Sequence, residues 1–384
     1  MNYRLLALPA LLALTSAAAN SPYIHKVYEF VPAPGQFVNE LPEYEPGDTY
    51  SSMLAKAQEA LAGDRTPGAV SLGAFGGYVV FGFDHPVVNE PGSPDFKIYG
   101  NAIISDRDSR GGSSEPGVIW VSADVNGNGL PDDPWYELAG SESSRSTRDF
   151  SVTYRRPDPS HTPTPHPGDR HVTDTSYLPW EASDGTTGFL SANDYHQQSY
   201  WPEWETASEI TFTGTRVPDN AMDLNGDGTY FLMFSYPWGY ADNLPNREET
   251  GFDIGNAIDA GGNAVFLPAI DFVKVATGLH QQCLSLGESS TEVCGAEDLH
   301  PDAASVRSVS AMASLSARID GNTLNVFNGR AEAVEAVVIS LGGTVVADLH
   351  LPCGASAHVL PPMSAGVYVL AAPGAEPVKL VYLR

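Results

Sequence analysis

The chain has 384 residues and a formal net charge of −27 at pH 7, with 47 acidic against 20 basic side chains. That balance argues against recognition of nucleic acid or an anionic membrane by charge, and suits a soluble surface that attracts divalent cations. Thirty prolines and 37 glycines interrupt the chain too often for long helices.

The N-terminus reads as a leader. Arg4 precedes an apolar run from Leu5 to Leu14, and Ala17-Ala18-Ala19 offers a small-residue cleavage site, so residues 1–20 are expected to be a signal peptide. No cysteine follows the run to support a lipid anchor there. No other stretch approaches the roughly 20 apolar residues of a membrane span. Cys283 and Cys294 flank a ten-residue loop. They either pair in an oxidising compartment or remain two buried thiols, and Cys353 is the odd one.

Tyr23 to Tyr50 is proline-rich, with a short strand at Val27–Phe30. Met53 to Ala62 is the one helix expected, capped by Ser51 or Ser52, stopped by Gly63, and laid as a lid on a sheet. From Ser71 to Gly140 the pattern is a β-framework: Tyr78, Val80, Phe81 and Phe83 alternate between glycine clusters. After the strand GVIWVSAD comes an acidic loop. Asp124, Asn126, Asn128 and Asp132 stand at relative positions 1, 3, 5 and 9, the Leu130 carbonyl is available at 7, and Asp133 lies alongside. Alternating oxygens with glycines between them suit calcium, although Trp135 replaces the bidentate Glu of an EF-hand. An ion-free, Asx-rich turn is the alternative.

Asp149 to Tyr154 alternates as a strand and runs into the proline-rich loop Arg156–Gly168. His161, His166 and His171 recur every five residues, which matches no metal spacing and suggests solvated loop histidines. Glu209–Thr213 and Tyr230–Tyr236 read as strands. Between them Asp223, Asn225 and Asp227 form a second, shorter calcium-type loop. Gly251 to Gly278 gives two further strands around a Gly-Gly-Asn turn. From about Pro301 an Ala-Ser-rich linker leads into short strands, so residues 301–384 read as a separate small β-module after a ligand-binding domain at 21–300.

Two aromatic clusters stand out: Tyr195–Trp204 and Tyr236-Pro-Trp238-Gly-Tyr240. They either cap a core edge or stack on a ligand. If both loops gather at one end of a sandwich, Trp201, Trp204, Trp238 and Tyr240 would line one cleft, with Asp242 or Asn243 orienting the ligand. No nucleophile elbow, zinc-protease helix, phosphate loop or dinucleotide fingerprint occurs. Pairs such as Glu203 and Glu205 are expected by chance in so acidic a chain, so an enzyme is not indicated; an extracellular hydrolase is the weaker reading.

Taken together, SLGAFGGYVVFGFDHPVVN, PDFKIYGNA, EPGVIWVSADVNGNGLPDDPWYELAG, WGYADNLPN, GFDIGNAIDAGGNAVFLPAIDFVKVATG and GESSTEVCGAEDLH resemble a family of bacterial cell-surface proteins. The resemblance covers about residues 23 to 300. It implies a jelly-roll β-sandwich related to galactose-binding-like modules. It also implies surface capture of a small molecule for uptake, since some similar proteins are encoded beside outer-membrane cobalamin transporters. A corrinoid is then the first ligand expected and a glycan the second. The C-terminal stretch (LNVFNG, Leu341-Gly342-Gly343, SAGVYVL, VKLVYL) resembles a type IX secretion sorting domain, which implies export across the outer membrane and removal of this module. A fibronectin-like accessory domain is the alternative.

Overall fold

The computed structural model describes residues 20–63, 68–303 and 315–383, and the chain is all-β: antiparallel strands with one α-helix among the described residues. The expected leader, residues 1–19, and the linker residues 304–314 lie outside the described residues. Among the described residues no helix is long and apolar enough to cross a membrane.

The central sheet has six strands in the order Lys26–Val31, Tyr78–Val88, Ala269–Thr277, Gly117–Ser122, Trp135–Leu138 and Ala257–Ile258. Its longest strand, Tyr78–Val88, is buried along most of its length because both faces are covered. Val79, Phe81 and Phe83 face a core shared with the helix, while Tyr78 packs against a second core beneath a four-stranded sheet. Successive side chains of a strand point to opposite faces, so a strand covered on both sides reads as a continuous apolar run.

The helix spans Tyr50–Leu61 and buries Met53, Ala57 and Leu61, spaced by four along one face. Its cap is Thr49 rather than Ser51 or Ser52. Thr49 is extended and its N–H donates to the Ser52 hydroxyl at 2.7 Å, which makes Ser52 the third helical residue of a capping box.

The second sheet runs Thr187–Asn193, Val172–Ala182, Thr147–Arg155, Glu209–Arg216. Its core gathers Phe75, Phe150, Tyr154, Leu178, Tyr200 and Trp201. The turn expected near Gly261-Gly262-Asn263 is present, closed by the Asp259 N–H on the Asn263 carbonyl at 2.9 Å. Its flanking strands go to different neighbours: Ala257–Ile258 joins Trp135–Leu138, and Ala269–Thr277 enters the middle of the central sheet.

The C-terminal strands form a small sandwich of a three-stranded and a four-stranded sheet around Leu324, Val326, Val338, Leu370 and Leu380. It docks on the main body. Phe327 is buried in the central core, the Ala355 N–H donates to the Tyr136 hydroxyl at 3.2 Å, and the Arg318 guanidinium lies 5.4 Å from the Phe266 ring centre.

Candidate functional site

Two short strands, Val70–Ser71 and Glu292–Val293, pair so that Ser71 stands opposite Glu292. The approach to this pair, Glu288-Ser289-Ser290-Thr291-Glu292, is buried although every residue in it is polar. An extended chain alternates its side chains, which places Glu288, Ser290 and Glu292 on one side and Ser289 and Thr291 on the other. Hydrogen bonds sustain the burial. Ser289 Oγ meets Gln281 Nε2 at 2.8 Å, Ser290 Oγ meets Ser71 Oγ at 2.8 Å, and Thr291 Oγ1 donates to the Glu115 carbonyl at 2.8 Å.

The segments around Glu115 and Asp242 lie back to back. Gly117 and Ala241 exchange backbone hydrogen bonds of 2.9 and 3.0 Å, and the Glu115 N–H donates to the Asp242 carbonyl at 2.9 Å. Asp242 takes φ +50°, in the left-handed region, where Asp is tolerated better than most residues. That bend turns its carboxylate inward. Oδ1 accepts the N–H groups of Asn101 and Ala102 at 2.7 and 2.8 Å, and Oδ2 accepts that of Glu292 at 3.0 Å. Gly100 permits the approach, because a Cβ there would lie 2.8 Å from the Asp242 Cα.

Three carboxylates therefore converge. Glu115, Asp242 and Glu292 each bring an oxygen within 4.8 Å of the others. Glu115 accepts the Ser290 N–H at 3.0 Å; Glu292 accepts the Ser290 hydroxyl and, at 3.2 Å, the Asn101 side-chain amide. These partners are hydroxyls, one amide and backbone N–H groups, with no lysine or arginine among them.

Burial and mutual repulsion hold the cluster's protons. Burial, followed by the Asp242 charge, pushes Glu292 up to about 8. Burial alone takes Asp242 to about 7, against the three N–H bonds that favour its charge. Glu115 rises well above the usual range through burial and the charges of Glu292 and Asp242. Nearby Glu288 is pushed by burial to about 7; its Oε1 accepts the Gln36 N–H at 2.7 Å, and its Oε2 has no hydrogen-bond partner. Such a set can keep protons, accept hydrogen bonds from a ligand, or hold a hard cation.

Glu115 and Glu292 open into a cavity of about 320 Å³, with Asn101 and Ser290 beside them and Phe37, Tyr195, His196, Met233 and Leu286 as walls. Phe37 and His196 meet edge to face at 4.3 Å, and Tyr195 stacks on His171 at 4.8 Å. Tyr195 and Leu286 are 58 % and 51 % exposed, so the mouth is apolar above an acidic floor. Ligand pockets run from roughly 300 to 1,000 Å³, so this one takes a small molecule or one end of a larger one.

The structure distributes the expected ligand-binding residues unevenly. Asp242 lies in the acidic cluster. Trp201 is buried in the core of the second sheet and also borders a separate cavity, while Tyr240 is buried in another cluster with Tyr236 and Val118. Trp204 is half-buried against Phe30 and Tyr44, both at 6.3 Å, and Trp238 is exposed on the surface. The four rings are thus not gathered in one cleft: Trp201 and Tyr240 are drawn into different cores. Asn243 pins its own loop, its amide pairing with the Tyr236 N–H and carbonyl at 2.6 and 2.8 Å.

Both calcium-type loops are exposed, and internal hydrogen bonds shape them. Asp124 accepts the N–H groups of Asn128 and Gly129 at 3.0 and 2.9 Å, and Asp133 accepts that of Val125 at 3.1 Å. The amides of Asn126 and Asn128 donate to Asp132 and hold its carboxyl below the usual range. In the second loop Asp223 accepts the Gly228 N–H at 2.7 Å, Asn225 donates to Thr229 at 3.1 Å, and Asp227 accepts the Thr229 N–H at 3.0 Å. The loop histidines are more tightly held than their spacing suggests. His161 meets Asp174 at 2.8 Å, and His171 meets Asp194 at 3.0 Å. His166 accepts the Asp169 N–H at 2.9 Å. Cys283, Cys294 and Cys353 are all free.

Glu115 and Glu292 were not legible as a pair, because they stand 177 positions apart in the sequence. A local signal existed in the unbroken polar run Glu288 to Glu292 just before an apolar Val-Cys-Gly-Ala stretch. No protein-family model matches the chain, and none of the curated proteins compared with it matches either.

Proposed function

We propose that this protein is an exported binding protein that captures a carbohydrate in the cavity floored by Glu115, Asn101, Ser290 and Glu292. The observation that carries the reading is the juxtaposition of carboxylate acceptors with an exposed tyrosine at the mouth. A carboxyl group that keeps its proton both donates to and accepts from sugar hydroxyls, and the C–H face of a pyranose packs on an aromatic ring. The corrinoid implied by the family resemblance is far larger than this cavity. It would enter only by a side-chain amide, so the geometry favours the sugar. Calcium at Asp124–Asp133 and Asp223–Asp227 would stiffen the loops without touching the ligand. On the family resemblance, capture serves uptake through an outer-membrane transporter.

The test is calorimetric titration of the exported chain with a glycan panel and with cobalamin. Saturable sugar binding without product formation is expected. Glu292→Leu and Glu115→Leu, which remove the hydrogen-bonding groups, should weaken it at least tenfold, with Trp238→Ala as an unaffected surface control. Sugar binding indifferent to both Leu variants, or cobalamin binding alone, would overturn the reading.

A further inference from the structure

The segment from Asp194 to Glu203 borders three cavities in succession. Tyr195 and His196 border the acidic cavity; His196, Gln197 and Gln198 border a second of about 400 Å³. Ser199, Trp201 and Glu203 border a third of about 370 Å³. Neighbouring cavities share walls: His196 divides the first from the second, and Tyr177 the second from the third. The aromatic run therefore follows a row of three compartments rather than capping one.

The third compartment carries its own mark of a ligand. Trp201 is 2 % exposed and its indole N–H has no hydrogen-bond partner among the described residues, although the residue borders the cavity. A buried donor without an acceptor is unfavourable, and a ligand oxygen in that cavity would satisfy it. Arg156 lies over the same ring, 5.4 Å from its centre, and adds further donors to the cavity wall. One end of the row thus offers the carboxyl groups of Glu115 and Glu292, and the other sets the Arg156 guanidinium beside Asp158, Asp174 and Glu203.

We infer that the row is an extended groove for a linear oligosaccharide of at least three units, with its outer subsite at Trp201 and Arg156; this rests on the carbohydrate reading above. Sugar hydroxyls both donate and accept, so one repeating unit can satisfy an acidic compartment and one that mixes donors with acceptors. A peptide suits the groove less well. It would need free backbone groups for a ladder, whereas the N–H groups of Tyr195 and His196 both go to Asn193 Oδ1 at 3.1 and 2.9 Å. The Trp201 backbone N–H is likewise occupied, by Ser199 Oγ at 3.2 Å.

The experiment titrates the exported chain with β-1,4-linked glucose, mannose, xylose and galactose series of increasing length, from the monosaccharide upward. In the series that binds, affinity should rise at least tenfold from one unit to three. That ratio should fall severalfold in Trp201→Phe, which keeps an aromatic ring of smaller size but removes the indole N–H, and in Gln197→Ala, an exposed change that leaves the core intact. Equal affinity for one and three units in the wild type would remove the groove and leave the single-cavity reading standing. Failure of every series at every length would remove both. Selection of peptide binders that Gln197→Ala weakens, with no length dependence among the sugars, would make the groove a peptide site and overturn the inference.

Discussion

Asp242 accepts the backbone N–H of Glu292 at 3.0 Å, so one buried carboxylate is fixed against the peptide that carries another. The bond orients both acids without neutralising either, and Glu115 completes a cluster to which, among the described residues, no arginine or lysine is hydrogen-bonded. The cluster's protonation is consequently linked to the fold.

That linkage has a definite direction. Glu292, Asp242 and Glu288 titrate at about 8, 7 and 7 in the folded chain, and at roughly 4 once exposed by unfolding. Between those limits the native state holds more protons than the unfolded state, so stability is fullest at low pH and falls as pH rises toward 8. The melting temperature should be higher at pH 5 than at pH 8, and Glu292→Gln should narrow the gap. A melting temperature that climbs from pH 5 to pH 8 would contradict the account.

The acidic loop makes a separate prediction. Calcium bound only by the folded chain raises its stability, so chelation should lower the melting temperature and added calcium restore it. Asp132→Ala should abolish the response, because the Asn126 and Asn128 amides already hold Asp132 in the loop and keep it ionised. A response lost instead in Glu292→Gln would place the ion in the acidic cavity.

Trp201 and Trp238 should behave oppositely when truncated. Trp201 packs in the second core, and Trp201→Ala is expected to cost about 3–5 kcal/mol of stability. Trp238 is 47 % exposed, and Trp238→Ala should change stability by about 0.5 kcal/mol or less. Chemical denaturation of the two variants reads both values.

Export predicts processing at both ends. Intact-mass analysis of native material should show loss of about the first 20 residues, together with the C-terminal sandwich. Recovery of the whole chain from the cell interior would count against export.

Much of the fold was legible because it depends on local alternation. The Tyr78–Val88 and Gly117–Ser122 strands, the helix and the C-terminal strands all carry their pattern within a few residues. The helix cap was misplaced by two or three residues because Thr49 and two serines follow one another closely, and only the backbone angle at Thr49 decides among them. The site was harder. Asp242 could be marked as polar beside an aromatic cluster, but its partners come from the Glu115 and Glu292 segments, which only the folded chain brings together. The tryptophans misled for a related reason: a large ring suits a ligand platform and a core equally well, and burial is a property of the folded chain.

The docking of the C-terminal sandwich has a consequence for the export route proposed above. Cutting it away would withdraw Phe327 from the central core, strip the Tyr136 hydroxyl of its Ala355 donor and bare Phe266. The released cargo would leave with a fresh adhesive scar on its flank, and apolar scars seek another surface. If the module directs export as the resemblance implies, it would also act, until its removal, as the stopper that keeps that flank from sticking too soon.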